Sequence, residues 1–385
     1  MDGSEKRRIV ISGVNLFEGG PLSVYHDALT ELSENFSQQY EIIALVHSET
    51  LFNIPNVRII EYPKIRRSWI RRIHFEYYVL RKLSQDLDAY LWISLHDTTP
   101  AVKARIQAVY CHNPSPFAKF RWRDAAYDSR YALFVLFYRH LYRINIHRND
   151  YVIVQQAWLR ESFREMYGVK RVIVAHPESR TSNVFIKKPT DELRNNTETF
   201  RFFFPAYPRV FKNAEVLLQA AELLEDDPIE IWLTFSGSEG RYARSLVKRF
   251  GKLRNVKFLG RLTRQQVLSR YELADCLVFP SLLETWGLPI SEFKSTGKPM
   301  LLADLPYAHE SVGTYQNIDF FDPRNSRDLS TLMQKLSRRE LTLPGSRETA
   351  IAPPFAADWH DLFGLLLGDA PQASCCPSHP AGRVL

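Results

Sequence analysis

CLVFPSLLETWGLPISEFKSTGKPMLLAD, residues 276–304, reads as strand, loop, helix, strand in immediate succession. The run CLVFP has the unbroken apolar character of a strand buried on both faces. SLLETWG is then its carboxyl-end loop, and LPISEFKST a helix with Pro289 in its first turn. Gly297 and Pro299 form a stop signal before the next strand, PMLLA. Glu284 falls in the loop and Glu292 about one turn into the helix, on either side of Gly-Leu-Pro. Two readings fit that spacing. In one, Glu284 only favours the helix dipole and Glu292 is a surface acid. In the other, both side chains reach a ligand lying across the helix N-terminus. There a carboxylate would accept from a ribose diol, and the N–H groups of Trp286, Gly287 and Leu288 would hold a diphosphate.

The same strand–helix alternation extends outward in both directions. Upstream, RIVISG (8–13), EIIALV (41–46), VRIIEY (from 57), AYLWISL (89–95), QAVYC (107–111), YVIVQ (151–155) and RVIVA (171–175) are short β-branched or aromatic runs separated by helical patterns. A polar, Pro-containing stretch at 177–198 interrupts the series. It resumes with FRFFFP (200–205), IEIWLTF (229–235), VKFLG (256–260), DCLVFP (275–280), PMLLA (299–303) and IDFF (318–321). The predicted class is α/β: two doubly wound, Rossmann-like domains, 1–176 and 177–354, facing a cleft. A terminal helix is predicted over 355–368 and a disordered tail over 369–385.

Composition agrees with a globular chain. Of 385 residues, 45% are apolar and 13% aromatic, and no apolar run approaches the roughly 20 residues of a membrane span. The start, MDGSEKRRIVISG, lacks an apolar leader, so a cytoplasmic location is expected. The four cysteines, Cys111, Cys276, Cys375 and Cys376, have no zinc-type spacing and suit a reducing compartment. The net charge of +7 is concentrated in 64–82 and 117–148, where Arg interleaves with Trp, Tyr and Phe. Either the aromatics are core and the arginines solvated, or the segments form a surface that rests on anionic lipid headgroups. With no RNP, KH or zinc-finger signature, nucleic acid is not an expected partner.

The cleft is expected at the carboxyl ends of the strands, which directs attention to a few loops. Gly19 and Gly20 are predicted in a loop ahead of Pro21, without the GxGxxG spacing of a dinucleotide fold. His112 ends QAVYC, and His96–Asp97 form a second cleft-facing possibility; a strand-end His is also an ordinary structural hydrogen-bonder. Arg209 and Lys212 open the first helix of the second half, where solvated cations are equally at home. The DLD at 86–88 directly precedes a strand and reads as a helix end, so no metal site is predicted.

The whole string FPSLLETWGLPISEFKSTGKPMLLAD resembles the signature of the family 4, retaining, GT-B glycosyltransferases: a Glu, seven residues, a second Glu, then Gly-x-Pro before a strand. YCHNPSPF, PAYPRVFKNAEVLLQA, TFSGSEG and VKFLGRLTRQQVLSRYELADC continue the resemblance in the family's order over nearly the whole chain. The resemblance implies a GT-B fold whose first domain binds the acceptor and whose second binds a nucleotide-sugar donor, with the terminal helix crossing back to the first. It implies that Glu292 binds the donor ribose, Glu284 contacts the transferred sugar, and His112 faces that sugar. Gly237, Leu259, Gly19 and Gly20 join the donor site, and backbone around Phe258–Arg261 holds the base. Arg209 and Lys212 would neutralise the leaving diphosphate, doing the work a metal does elsewhere. The family has a longer Arg-to-Lys interval followed by Gly; this chain has Arg-Val-Phe-Lys-Asn.

The implied reaction is hexosyl transfer from a UDP- or GDP-linked sugar with retention and no further cofactor. The implied acceptor is a glycan or a polyprenyl-diphosphate-linked glycan, in bacterial surface polysaccharide assembly such as O-antigen, capsule or exopolysaccharide. Two alternatives stay open: a nucleotide-sugar epimerase on the same fold, and a non-enzymatic basic scaffold or nucleic-acid binder.

Overall fold

A computed structural model of the chain describes residues 6–16, 19–63, 65, 69–118, 122–177 and 199–368. The predicted polar break, apart from Pro177, and the predicted tail lie outside these residues.

The first sheet contains β1 (Arg7–Ser12), β2 (Tyr40–Val46), β3 (Val57–Glu61), β4 (Ala89–Ser94), β5 (Ile106–Tyr110), β6 (Tyr151–Val154), β7 (Val172–Ala175) and a late strand, Phe355–Ala356. The second contains β8 (Phe200–Phe204), β9 (Ile229–Leu233), β10 (Val256–Phe258), β11 (Cys276–Phe279), β12 (Met300–Ala303) and β13 (Ile318–Phe321). With β14 as Phe355–Ala356, the orders are β14-β7-β6-β5-β4-β1-β2-β3 and β10-β9-β8-β11-β12-β13, parallel throughout. Parallel pairing requires crossovers that cover both faces, which is why Phe202, Phe203 and Phe204 of β8 are all fully buried. Strand order reverses between β1 and β4 in one sheet and between β8 and β11 in the other. Crevices open beyond the carboxyl ends at such points.

In chain order the helices are α1 (Gly19–Glu31), α2 (Trp69–His74), α3 (Leu80–Asp86), α4 (Trp122–Tyr127), α5 (Ser129–Arg143), α6 (Ala157–Tyr167), α7 (Ala214–Leu223), α8 (Arg241–Phe250), α9 (Arg264–Leu273), α10 (Leu288–Lys294), α11 (Pro306–Val312), α12 (Ser326–Ser337) and α13 (Trp359–Leu367). Asp86 ends α3, and Asp88 turns the chain into β4 with φ of 44°. No described helix is long and apolar enough to cross a membrane.

Two sequence expectations are corrected here. The helix expected over 355–368 begins only at Trp359, because Phe355–Ala356 pair in register with Val174–Ala175 and Asp358 caps α13 by accepting from the Asp361 N–H. Gly19 and Gly20 lie in the first turn of α1 rather than in a loop, since Pro21 is tolerated within a helix's opening turn. The chain's return to the first sheet is held by side chains as well as by pairing. Phe363 meets Phe36 edge-on at 5.7 Å, Trp359 stacks on Tyr110 at 5.6 Å, and His360 Nδ1 lies 3.0 Å from Glu31.

The two domains touch at the base of the cleft. Gln156 donates to Ser311 Oγ at 2.8 Å and to the Tyr307 carbonyl at 3.0 Å, and the Ala157 N–H donates to Glu310 at 2.9 Å. Glu310 thus sets a carboxylate at the N-terminus of α6, where the helix dipole favours it. His176, after β7, closes the contact at 3.1 Å from Glu310 and 4.5 Å from the Trp286 ring.

Candidate active site

The second sheet's reversal point lies between the loops after β8 and β11, and these carry the two charges that meet there. Lys212 Nζ donates to Glu284 Oε1 in a charge-assisted hydrogen bond. Both side chains are largely buried, and the ammonium also lies 5.5 Å from the Phe279 ring. The next residue, Asn213, has φ of 56°, in the left-handed region that glycine usually fills. Asn tolerates it here by donating to the Pro323 carbonyl at 2.8 Å and the Pro280 carbonyl at 3.2 Å. A side chain thus ties the turn down where glycine would merely permit it.

Arg209 points elsewhere. Its guanidinium pairs with Asp128 of the first domain, the N-cap of α5, and Tyr131 packs on Phe211 at 5.0 Å beside that pair. A cavity of about 430 Å³ lies between the domains, lined by Tyr131 and Trp158 on one side and Phe211, Glu284, Asp304 and Arg324 on the other. Glu284 is therefore a cleft residue.

Glu292 and Glu284 are not a chemical pair; each carboxylate has its own partners. Glu292 lies on α10, accepts from Tyr271 Oη at 3.0 Å and pairs with Arg264 at 3.0 Å. Burial first, and Glu292 second, push the Tyr271 phenol well above its ordinary pKa, so it stays a donor. Pro289 sits in the opening turn of α10 and Gly287 just before it, at φ of 83°. The Trp286 ring is buried, with its N–H on Ser291 Oγ at 2.9 Å and its carbonyl taking the Ser311 hydroxyl. Across the cleft, Gly20 approaches α10 so closely that a Cβ there would lie 3.2 Å from Leu288 Cδ1. The first turns of α1 and α10 therefore lie close together, and each helix N-terminus favours negative charge.

Gly237 and Leu259 sit at the carboxyl ends of β9 and β10, with their N–H groups already engaged. Gly237 and Ser236 donate to the carboxylate of Glu239, at 2.8 and 3.0 Å, so a side chain fills this cluster of backbone donors. Burial opposes ionisation of Glu239, but the N–H groups of Glu239, Ser236 and Gly237 outweigh it and hold the carboxyl below its usual pKa. The Leu259 N–H donates to the Leu233 carbonyl at 2.8 Å.

His112 follows β5, its ring 4.7 Å from Tyr110, and among the described residues its Nε2 is buried with no hydrogen-bond partner. Burial lowers its pKa, with Asp97 and the Leu95 carbonyl acting in the opposite sense, so the neutral imidazole is favoured. Asp97 takes the role of organiser: it accepts from the His112 N–H at 2.5 Å, the Asn113 N–H at 3.2 Å, and Tyr138 and Tyr142 at 2.9 Å each. With φ of 69°, it folds the loop after β4 onto the loop after β5. His96 is buried against Ser12, Thr98 and Glu76, so neither residue of that pair reaches into the cleft as a free acid or base.

Sequence reasoning missed Asp128, Tyr271 and Arg264, and it read Asp97 only as a cleft-facing partner of His96; all four hold the singled-out residues in place. No short-range pattern marks them, because each acts over a separation of 15 to 81 positions. Among the described residues no group of three or more His, Cys, Asp or Glu is arranged to hold a metal ion.

The chain is similar to known proteins on two levels. At the level of fold, the structure is GT-B: it superposes on sucrose-phosphate synthase from Thermosynechococcus elongatus with a TM-score of 0.62, at 14% identity over 87% of this chain and 90% of that one. The lipopolysaccharide outer core galactosyltransferase WaaB matches at 0.61 and 11% identity over 94% and 99%. Anabaena HepE in complex with UDP-glucose matches at 0.56 and 16% over 94% and 98%. At the level of sequence, residues 185–350 match the family described as Glycosyl transferases group 1. D-inositol 3-phosphate glycosyltransferase of Corynebacterium efficiens is 33% identical over 32% of each chain. The serotype-specific mannosyltransferase WbdA of Escherichia coli is 26% identical over 40% of this chain and 20% of its own length. The aligned part thus spans about a third or less of these relatives.

Proposed function

We propose that the protein transfers a hexosyl group from a UDP- or GDP-linked sugar to a glycan or lipid-linked glycan acceptor, with retention and without a metal, in surface polysaccharide synthesis. The observation that carries this is the Lys212–Glu284 pair at the reversal point of the second sheet, within the stretch that matches group 1, facing the interdomain cavity. Expelling a nucleoside diphosphate concentrates negative charge on its terminal phosphate; a fixed ammonium and the neighbouring N-terminal turns of α1 and α10 stabilise that charge as it forms. Glu284 orients the transferred sugar, Glu292 with Tyr271 holds the ribose, and neutral His112 accepts or donates a hydrogen bond at the sugar. The leaving phosphate takes the acceptor proton on the same face. Retaining glycosidases, by contrast, spend a carboxylate as nucleophile. The complex of HepE with UDP-glucose and the polysaccharide-related names of WaaB and WbdA support the donor class and the setting.

The test is thermal stabilisation by UDP, GDP and their common sugar conjugates, on wild type and Glu292→Ala. A ligand at a hundred times its dissociation constant adds about 2.7 kcal/mol. A shift with one nucleotide, abolished in Glu292→Ala, is the expected result; no shift with any of them rejects the proposal. Transfer products, rather than an epimerised donor, separate the reading from an epimerase.

Arg209 joins the diphosphate only by leaving Asp128, so that pair competes with the donor. Asp128→Asn keeps the α5 cap, because Asn caps as well as Asp, and removes the competing charge. Nucleoside diphosphate affinity measured by calorimetry is expected to rise about threefold to tenfold. Unchanged or weaker binding would assign Arg209 a structural role.

A further inference from the structure

Helix α5 has two faces of unlike character. Ala132, Val135, Tyr138 and Tyr142, at helical spacing, are buried against the first domain. The opposite face carries Leu133, Phe134, Leu136 and Phe137, exposed by 40 to 60%, an unusual concentration of large apolar side chains in water. Continuing along the chain, Arg139, His140, Arg143, His147 and Arg148 are exposed too, and α5 has no acidic residue anywhere in its sequence. The adjoining α4 leaves Trp122 83% exposed.

From this we infer that α5 is a membrane-docking helix, lying in the interface of an anionic bilayer with Leu133, Phe134, Leu136 and Phe137 among the acyl chains and its arginines on lipid phosphates. The face is apolar at its middle and cationic toward its C-terminal end, which matches an interfacial helix. An anionic surface meets these cations with opposite charge, which a second copy of the same helix, itself without an acidic residue, does not supply. The inference deepens the lipid-linked acceptor of the proposed function and rests on it for its purpose. Asp128 and Tyr131 at the start of α5 touch Arg209 and Phe211, so a bilayer under this helix borders the cleft mouth. A sugar acceptor with a lipid tail would then reach the site without leaving the membrane.

The experiment is sedimentation of the full chain with vesicles of phosphatidylglycerol and phosphatidylcholine, or of phosphatidylcholine alone, at low salt. Wild type is expected to pellet with the anionic vesicles only. Leu133→Gln/Phe137→Gln is expected to lose binding at least tenfold, while circular dichroism and the melting curve stay unchanged. Arg139→Gln/Arg143→Gln is expected to lose roughly 30-fold, at about one kcal/mol per cation near the surface. Absence of wild-type pelleting, binding by both variants equal to that of wild type, or a concentration-dependent dimer abolished by Leu133→Gln/Phe137→Gln would overturn the inference. The assay contains no nucleotide. A docking protein that binds no donor would therefore count against the transferase reading alone, and a donor-binding protein that ignores vesicles against α5 alone.

Discussion

Replacing Lys212 by Met is expected to slow nucleoside diphosphate release from the donor by about 10²- to 10³-fold, the usual effect of removing one preorganised donor from a site of developing charge. Methionine matches the length and apolar stem of lysine, so what is lost is the ammonium, together with its approach to the Phe211 and Phe279 rings. The loss acts twice. The leaving phosphate is deprived of its fixed cation, and Glu284, whose side chain is only 12% exposed, is left as a carboxylate without its partner. Adding Glu284→Gln separates the two effects. If lysine serves only to neutralise Glu284, the double variant matches Glu284→Gln alone; if lysine meets the phosphate directly, the double variant falls well below Glu284→Gln. Donor hydrolysis by water provides the readout without a known acceptor. A Lys212→Met variant with more than a tenth of wild-type activity would remove this pair from the chemistry.

The fold could be read from the chain because its strands announce themselves locally. The central parallel strands are buried on both faces, and FFF (202–204), CLVF and MLLA are therefore unbroken apolar words. β14 escaped because two residues, Phe355 and Ala356, make no periodic pattern; their strand character comes entirely from the open edge of β7. The same distinction separates the visible and hidden parts of the site. Gly287 is visible because a left-handed turn before a proline-initiated helix requires that residue type. Glu284 and Glu292 are visible by spacing, but their separate partnerships are not, because Lys212 and Tyr271 come from elements 72 and 21 positions away. Asp97 is the clearest case. Beside a histidine in the sequence it resembles half of a catalytic pair, while in the fold it holds the His112 backbone and two tyrosines.

Lys298→Met is expected to destabilise the protein by about 3 kcal/mol, since hydrogen bonds from a charged group are worth about 1.5–3 kcal/mol each and several on one ammonium are not additive. Lys298 stands between Gly297 and Pro299 in the stop signal after α10, and its ammonium turns back to the end of α9. There it donates to the carbonyls of Glu272 and Ala274 at 2.6 Å each and of Tyr271 at 3.2 Å. These are carbonyls at a helix C-terminus, which lack intrahelical donors and carry the negative end of the dipole. Methionine fills the same volume but donates nothing, so three half-buried acceptors lose their partner. The consequence extends to the donor site, because Tyr271 in that last turn supplies the hydroxyl that holds Glu292. A loosened α9 end lets Tyr271 move, and nucleoside diphosphate affinity is expected to fall along with the urea midpoint. If instead the midpoint falls and affinity does not, Glu292 is held by Arg264 alone and the α9 terminus is a purely structural cap. A stability change below about 1 kcal/mol, the range of an exposed ion pair, would show that water replaces the ammonium at these carbonyls.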